Sequence, residues 1–384
     1  MRILHVIGNS QVAGAERVVF DLTRELIRRK QHVTVMCSVR TAKFFGASHA
    51  RVVPTLNPGL LGHLFGMLAL MIIQRRFDIV HLHDSSALIA FGMQPLQPSS
   101  RIITTIHGPD QIALLQRRAT SFRSRFVQVF TRRACLLSDE IVGVSTNIVD
   151  KFVGLNKAVA TVQNGVDAAT IRSEARHGVV SQLRELRDEG FTIATFPGRL
   201  DTRTKGQDVA LRSIALLVGQ GARICLILVG DGKDAQMLRK MTRELGVENN
   251  VFFLGYLPRR EELACMFHAD LIITHLVNHE HNGVSQVHLE AAVLRKPLIT
   301  VADRDLGAFK DGFFCVASPD PQKLASMISY IVEHPEEARK RVHKANVVAK
   351  NSFSWAGVAD TYLRIYEPKG KSVKSPFDIA SITD

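Results

Sequence analysis

Apolar positions along the chain follow two alternating rhythms. Residues 1–7 form a run with strand character that feeds a short loop, 8–14. Val18, Val19, Leu22, Leu26 and Ile27 then recur at three-to-four spacing, the period of a helix with one buried face. A second strand pattern over 32–37 closes a βαβ unit. Short runs at 79–82, 102–106 and 140–144 are apolar on both faces and rich in β-branched residues, which predicts strands of a parallel sheet. A turn signal, Gln163-Asn164-Gly165-Val166-Asp167, and a polar helical stretch interrupt the series. It resumes with runs at 191–196, 223–229, 251–254, 271–274 and 297–301, separated by helical segments.

Strands alternating with helices twice over predict two doubly wound, Rossmann-like α/β domains. Their expected bounds are 1–166 and 167–353. A final helix over 354–366 carries Trp355, Val358, Tyr362 and Ile365 on one face and is expected to pack back on the first domain. The tail 368–384 is turn-rich and expected to be disordered. In such sheets ligands bind beyond the carboxyl ends of the strands, so the loops there are the places to search.

Composition narrows the classes. The chain has 384 residues, 46% of them hydrophobic and 22% charged, which is ordinary for a globular protein of two domains. The longest apolar run, 65–73, falls short of the roughly 20 residues that span a bilayer. The opening Met1-Arg2-Ile3-Leu4-His5 reads as a strand and not as a leader, and a cytoplasmic location follows as an expectation. Five scattered cysteines with no CxxC pair argue against a disulfide framework or a zinc module. The charge is uneven: residues 1–166 carry a surplus of 11 basic residues, and the remainder a surplus of 2. A basic half points to an anionic partner, with solubility as the bland alternative.

Three loops could carry chemistry. Phe196-Pro197-Gly198-Arg199-Leu200 runs on to Lys205-Gly206 between a buried strand and a helix. Arg199 and Lys205 there suit a diphosphate; a solvated basic loop is the competing reading. Gly230-Asp231-Gly232 follows another strand, where glycines admit a ligand to the backbone, although a plain tight turn reads the same way. Asn282-Gly283-Val284-Ser285 opens a helix bearing Glu290, a carboxylate able to accept two ribose hydroxyls or simply to favour the helix dipole.

These loops in this order resemble the family 4 retaining glycosyltransferases of the GT-B fold, over nearly the whole chain. Ala13-Gly14-Ala15-Glu16 is similar to that family's GGxE loop, Asp78-Ile79-Val80-His81-Leu82-His83 to its DVVHxH strand, and Thr105-Ile106-His107-Gly108 to its TxHG segment. Asn164-Gly165-Val166-Asp167, Gly198-Arg199 with Lys205-Gly206, Gly230-Asp231-Gly232 and Leu289-Glu290-Ala291 continue the series.

The resemblance implies an enzyme of the hexosyltransferase type that needs no metal or cofactor. Its substrate would be a nucleotide sugar, with UDP or GDP as the carrier. Arg199 and Lys205 would hold the diphosphate, and His107 would face the reacting sugar from the opposite domain. Gly14, Gly230, Asn282, Gly283, Val284, Ser285 and Glu290 would bind the donor. Asn282 stands where the family's E-x7-E motif has its first Glu, with Glu280 two residues out of register. An amide there keeps hydrogen bonding but brings no charge to the transition state.

Arg117, Arg118, Arg123 and Arg125 fall in one expected helical region with Leu114, Phe122, Phe126 and Phe130. That pattern reads as a site for an anionic acceptor or membrane surface, with ordinary helix packing as the alternative. The acceptor expected is a glycan or a lipid-linked molecule, in cell-surface polysaccharide or glycolipid synthesis, with the enzyme peripheral at the membrane. No aromatic platform or recognition motif supports nucleic acid. His275 and His279 lie four apart but at a strand end, with no acidic cluster to complete a metal site. A non-catalytic sugar-nucleotide binder and a GT-B epimerase or phosphorylase are the competing functions.

Overall fold

The computed structural model describes residues 1–9, 12, 14–56, 60–94, 99–108, 121–150, 158–178, 181–277, 283–302 and 306–367. Seven parallel strands form the first sheet: β1 (Arg2–Ile7), β2 (His32–Ser38), β3 (Arg51–Leu56), β4 (Ile79–Leu82), β5 (Arg101–Ile106), β6 (Glu140–Gly143) and β7 (Ala158–Thr161). Their order is β3-β2-β1-β4-β5-β6-β7. Six more form the second: β8 (Thr192–Pro197), β9 (Ile224–Val229), β10 (Val251–Gly255), β11 (Leu271–Ile273), β12 (Leu298–Val301) and β13 (Phe314–Val316), in the order β10-β9-β8-β11-β12-β13. Each sheet reverses direction beside its first strand, at β1/β4 and β8/β11. Those reversals open the crevices where such folds take ligands.

The two doubly wound sheets are the architecture the rhythm predicts. The strands missing from that expectation are β3, β7 and β13, all at sheet edges. Central strands are buried on both faces and announce themselves; β7 is only half-buried along its length. β3 contains Pro54, tolerated at an edge where no neighbour needs its missing N–H.

Of the expected helical region around the arginines, the described part is the helix Phe122–Leu137. Arg117 and Arg118 lie outside the described residues, and the helix Phe122–Leu137 starts from a Ser121/Ser124 capping box. The tail 368–384 also lies outside them.

The helix Trp355–Tyr366 packs against the first sheet and the helix Gly14–Arg28. Trp355, Val358, Tyr362, Ile365 and Tyr366 join a core with Ile3, Leu22, Leu26 and Ile103. The chain therefore crosses between the domains twice. At the crossing Val166 bridges Ser354, and the Val166 N–H donates to the Phe353 carbonyl. A Cβ on Gly165 would stand 2.6 Å from the Trp355 ring, so only glycine lets the strands cross this closely. Among the described residues no helix is long and apolar enough to cross a membrane.

Candidate active site

A cleft of about 1090 Å³ lies between the carboxyl ends of the two sheets. The second domain supplies Gly198, Arg199 and Lys205 after β8, Gly230, Asp231 and Gly232 after β9, Tyr256 after β10, and His275 after β11. Gly283, Val284 and Ser285 line it at the start of the helix Gln286–Leu294. The first domain supplies Gly14, Ala15 and Arg17 from its first helix, and His107 beyond β5.

The sequence thus brings together His107, Arg199, Lys205, Gly14, Gly230, Gly283, Val284 and Ser285 around one space. Asn282, Arg117 and Arg118 lie outside the described residues; Arg125 is exposed on the helix Phe122–Leu137, which also contains Arg123, away from the cleft wall.

Backbone contacts fix the cationic wall. Gly198 and Gly230 both have φ of +131°, a region that β-carbon sterics close to other residues. A Cβ on Gly230 would meet the Gly198 carbonyl at 2.2 Å, and one on Gly232 the Leu200 carbonyl at 2.3 Å. The loops after β8 and β9 therefore touch backbone to backbone. The Gln207 amide donates to the Arg199 carbonyl at 2.9 Å, and the Leu276 N–H to the Lys205 carbonyl at 2.9 Å. The Arg199 guanidinium itself stays largely exposed to the cleft, 3.9 Å from Asp201. Asp201 also pairs with Lys233 at 3.2 Å, so a third cation that sequence reading passed over stands beside the site. Lys205 Nζ contacts His275 Nε2. His275 was legible only as a possible metal ligand; in space it is a neighbour of Lys205.

Gly14 differs from these glycines. Among the described residues a Cβ there would meet nothing within 4 Å, in contrast to Gly230 and Gly232.

Glu290 sits behind the wall. It is buried, is not among the residues lining the cleft, and is hydrogen-bonded by Arg259. Arg259 also lies 3.5 Å from Glu262, and Glu262 pairs at 3.0 Å with Arg17 of the first domain. Burial opposes the Arg259 charge, but the Glu290 and Glu262 carboxylates outweigh it and hold its pKa above the ordinary value. A ribose hydroxyl reaching Glu290 has to share it with Arg259, a partner no spacing rule announced.

Behind His107, on the opposite side of the cleft, lies a cluster of buried imidazoles. His5 on β1 pairs in register with His81 on β4, and His83 follows two residues on, on the same face. His107 Nε2 lies 3.2 Å from His83 Nδ1, and His83 Nε2 lies 2.7 Å from His5 Nδ1. His81 meets the Tyr366 hydroxyl and the Thr105 hydroxyl, each at 2.7 Å. Burial pushes the pKa of His5 down to about 3 and of His107 to about 4, and lowers His81 and His83 well below the usual range.

Nitrogens of His5, His81 and His83 lie within 4.8 Å of one another, close enough to raise the question of a metal. Two nitrogens on one tetrahedral zinc stand about 3.3 Å apart, given bonds of roughly 2.0–2.1 Å. The 2.7 Å between His5 and His83 is a hydrogen bond instead, and both His81 nitrogens are engaged by hydroxyls.

Comparison with known proteins agrees with this geometry. The family model described as Glycosyltransferase Family 4 matches residues 12–170, and that described as Glycosyl transferases group 1 matches residues 182–347. The chain is 26% identical over 305 residues to a phosphatidyl-myo-inositol mannosyltransferase of Mycobacterium tuberculosis, covering 76% of this chain and 74% of that protein. It is 24% identical over 322 residues to a glycogen synthase of the same species, covering 78% and 71%. Among solved structures, Anabaena HepE in complex with UDP and glucose superposes with a TM-score of 0.76 at 19% identity, covering 95% of this chain and 99% of that one.

Proposed function

This chain belongs to the family 4 glycosyltransferases and has their GT-B fold, and from that premise we propose that it moves a hexosyl group, with retention of configuration, from a UDP- or GDP-sugar to a lipid-linked or glycan hydroxyl. The observation that carries the reading is the cleft itself, with Arg199 and Lys205 on one wall and His107 on the other. Support for a nucleotide sugar comes from that charge pair and from the glycines that admit a ligand to the backbone.

Arg199, Lys205 and the start of the helix Gln286–Leu294 take up the negative charge of the departing diphosphate, with no metal needed for that role. The bond from the anomeric carbon to the phosphate oxygen breaks, and a bond to the acceptor oxygen forms on the same face. The acceptor proton passes to the departing phosphate. His107, held neutral by burial, contributes a hydrogen bond and no charge.

The acceptor side of the proposal rests on an exposed apolar stripe. On the helix Leu60–Ile73, Leu61, Phe65, Leu68 and Ile72 are 70%, 65%, 52% and 71% exposed, at the spacing of one helix face. Val129 and Leu136 are exposed on the helix Phe122–Leu137, and both helices flank the helix Ser85–Gly92. Exposed Arg75, Arg76, Arg125 and Arg132 accompany them. Apolar side chains beside cations fit the headgroup region of an anionic bilayer. The acceptor then arrives at the first domain from a lipid surface.

The test is a donor screen on the purified protein. A cognate UDP- or GDP-sugar at 100 times its dissociation constant raises stability by about 2.7 kcal/mol, visible as a thermal shift, and is consumed when lipid acceptor is added. A protein that neither shifts with nor consumes any nucleotide sugar overturns the proposal.

A further inference from the structure

A second cavity, of about 730 Å³, lies at the end of the second sheet away from the cleft. Thr192 and Leu271, at the amino ends of β8 and β11, line it, as does Pro297 just before β12. β8 joins the two spaces: Thr192 lines the cavity, and Pro197, about 17 Å further along the strand, lines the cleft. The helix Gln286–Leu294 also runs between them, with Gln286 at the cleft and Arg295, just past its end, at the cavity. The two spaces share no lining residue.

The lining is lopsided in charge. Arg187, Arg295, Lys296 and Arg339 stand against a single carboxylate, Asp270. Arg187 donates to the His268 carbonyl and lies 3.8 Å from Asp270, and Arg339 pairs with Glu336. Arg295 and Lys296 differ: among the described residues neither side chain has a hydrogen bond or a carboxylate within 4 Å. Arg295 is exposed, but Lys296 is half-buried, with its ammonium 5.5 Å from the centroid of the Phe267 ring. Burial lowers the Lys296 pKa; Asp270 opposes that shift and Arg187 adds to it. The carboxyl ends of the helices Arg259–His268 and Gln286–Leu294 favour cations here, yet that field gives the Lys296 ammonium no acceptor. An ammonium drawn partly out of water without one is costly unless a ligand supplies it. The remaining wall is apolar, with Phe191 and Pro297 on the sheet side and Ile331, Val332 and Val342 from the helices Pro321–Glu333 and Pro335–Ser352.

We propose that this cavity is a second binding site, for a small organic phosphomonoester whose phosphate meets Lys296 and Arg295 and whose apolar or planar body lies against Ile331 and Val342. The two cations without ion pairs suit a doubly charged group, Arg295 as a planar fork and Lys296 as a point charge. An uncharged ligand leaves both unpaired, and a bare inorganic ion leaves the apolar wall uncovered. The site stands apart from the transfer reaction proposed above and does not depend on it.

Phenyl phosphate carries both features and serves as the probe. It is titrated by calorimetry into the full chain with Arg199 and Lys205 replaced by alanine, so that the cleft does not compete. Binding at one site is expected, with inorganic phosphate about tenfold weaker or more. Lys296→Gln is expected to weaken phenyl phosphate by about tenfold or more, and Arg295→Gln, at an exposed position where folding is not at stake, by about threefold or more. Absence of binding to the double variant overturns the proposal. So does unchanged affinity in Arg295→Gln, or in a Lys296→Gln protein that keeps its melting temperature. Inorganic phosphate binding as tightly as phenyl phosphate overturns the class of ligand.

Discussion

The second domain's side of the cleft carries glycines and the cations Arg199 and Lys205, whereas the first domain's side carries a half-buried His107 backed by buried imidazoles that do not line the cleft. The wall from the second domain keeps Arg199 in solvent and brings loop backbones to within contact distance, which suits a ligand with a large, fixed negative charge. The first domain's side sets His107, whose pKa burial lowers, and Arg17, paired with Glu262, against the same space. The bulk charge of the two halves runs the other way, since residues 1–166 hold nearly all of the basic surplus. Exposed arginines on outer helices account for part of that surplus, so a half's net charge does not locate its anion site.

Four experiments bear on this contrast. Replacing Arg199 and Lys205 together by alanine removes the charged wall, and turnover is expected to fall by about 10,000-fold or more, since each such group contributes roughly 100- to 1000-fold. Near-normal kcat in the double variant would erase the distinction between the walls. Gly230→Ala forces a Cβ against the Gly198 carbonyl at an unfavourable φ. A loss of about 3 kcal/mol is expected, measured as a lower melting temperature.

The histidine wall responds to acid. Unfolded imidazoles bind a proton near pH 6.5, whereas His5 stays neutral in the fold down to about 3. The unfolded state therefore binds more protons below pH 6.5, and stability drops as pH falls. The cost is about 2 kcal/mol per buried ring at pH 5. Melting temperatures at pH 7.5 and 5 check this, and His5→Asn is expected to lose less. The smallest effect belongs to the outer surface. Arg125→Glu is expected to weaken binding to anionic vesicles by about 1 kcal/mol per unit of charge removed at low salt, and by little at high salt. Salt-independent binding would sever the arginines from the lipid reading.

Legibility followed burial. Strands enclosed on both sides, such as β4 and β9, are unbroken apolar runs, so composition alone marks them. β3, β7 and β13 close the sheets with one neighbour each and were missed, whereas β10, also an edge strand, was expected, so an edge position weakens the signal without erasing it. At the site, Arg199, Lys205 and Gly283–Ser285 were readable because loop chemistry is local. The pairing of Glu290 with Arg259 and the contact of Lys205 with His275 were not, since the first joins two helices and the second the segments after β8 and β11, all far apart in sequence. The histidine chain left a partial signal: His81 and His83 alternate on one face of β4. Only the parallel register that sets His5 opposite His81 turns three scattered residues into a cluster.

The helix Trp355–Tyr366 has a temporal meaning. It covers Ile3 and Leu22, close to the chain's beginning, and its tyrosine hydroxyls reach His81 and Thr105. During synthesis the first lobe emerges early but lacks a layer of its core until the last helix clears the ribosome. Its histidine chain is braced only then, so a nascent chain lacking this helix holds a second lobe with its core in place opposite an unfinished first one.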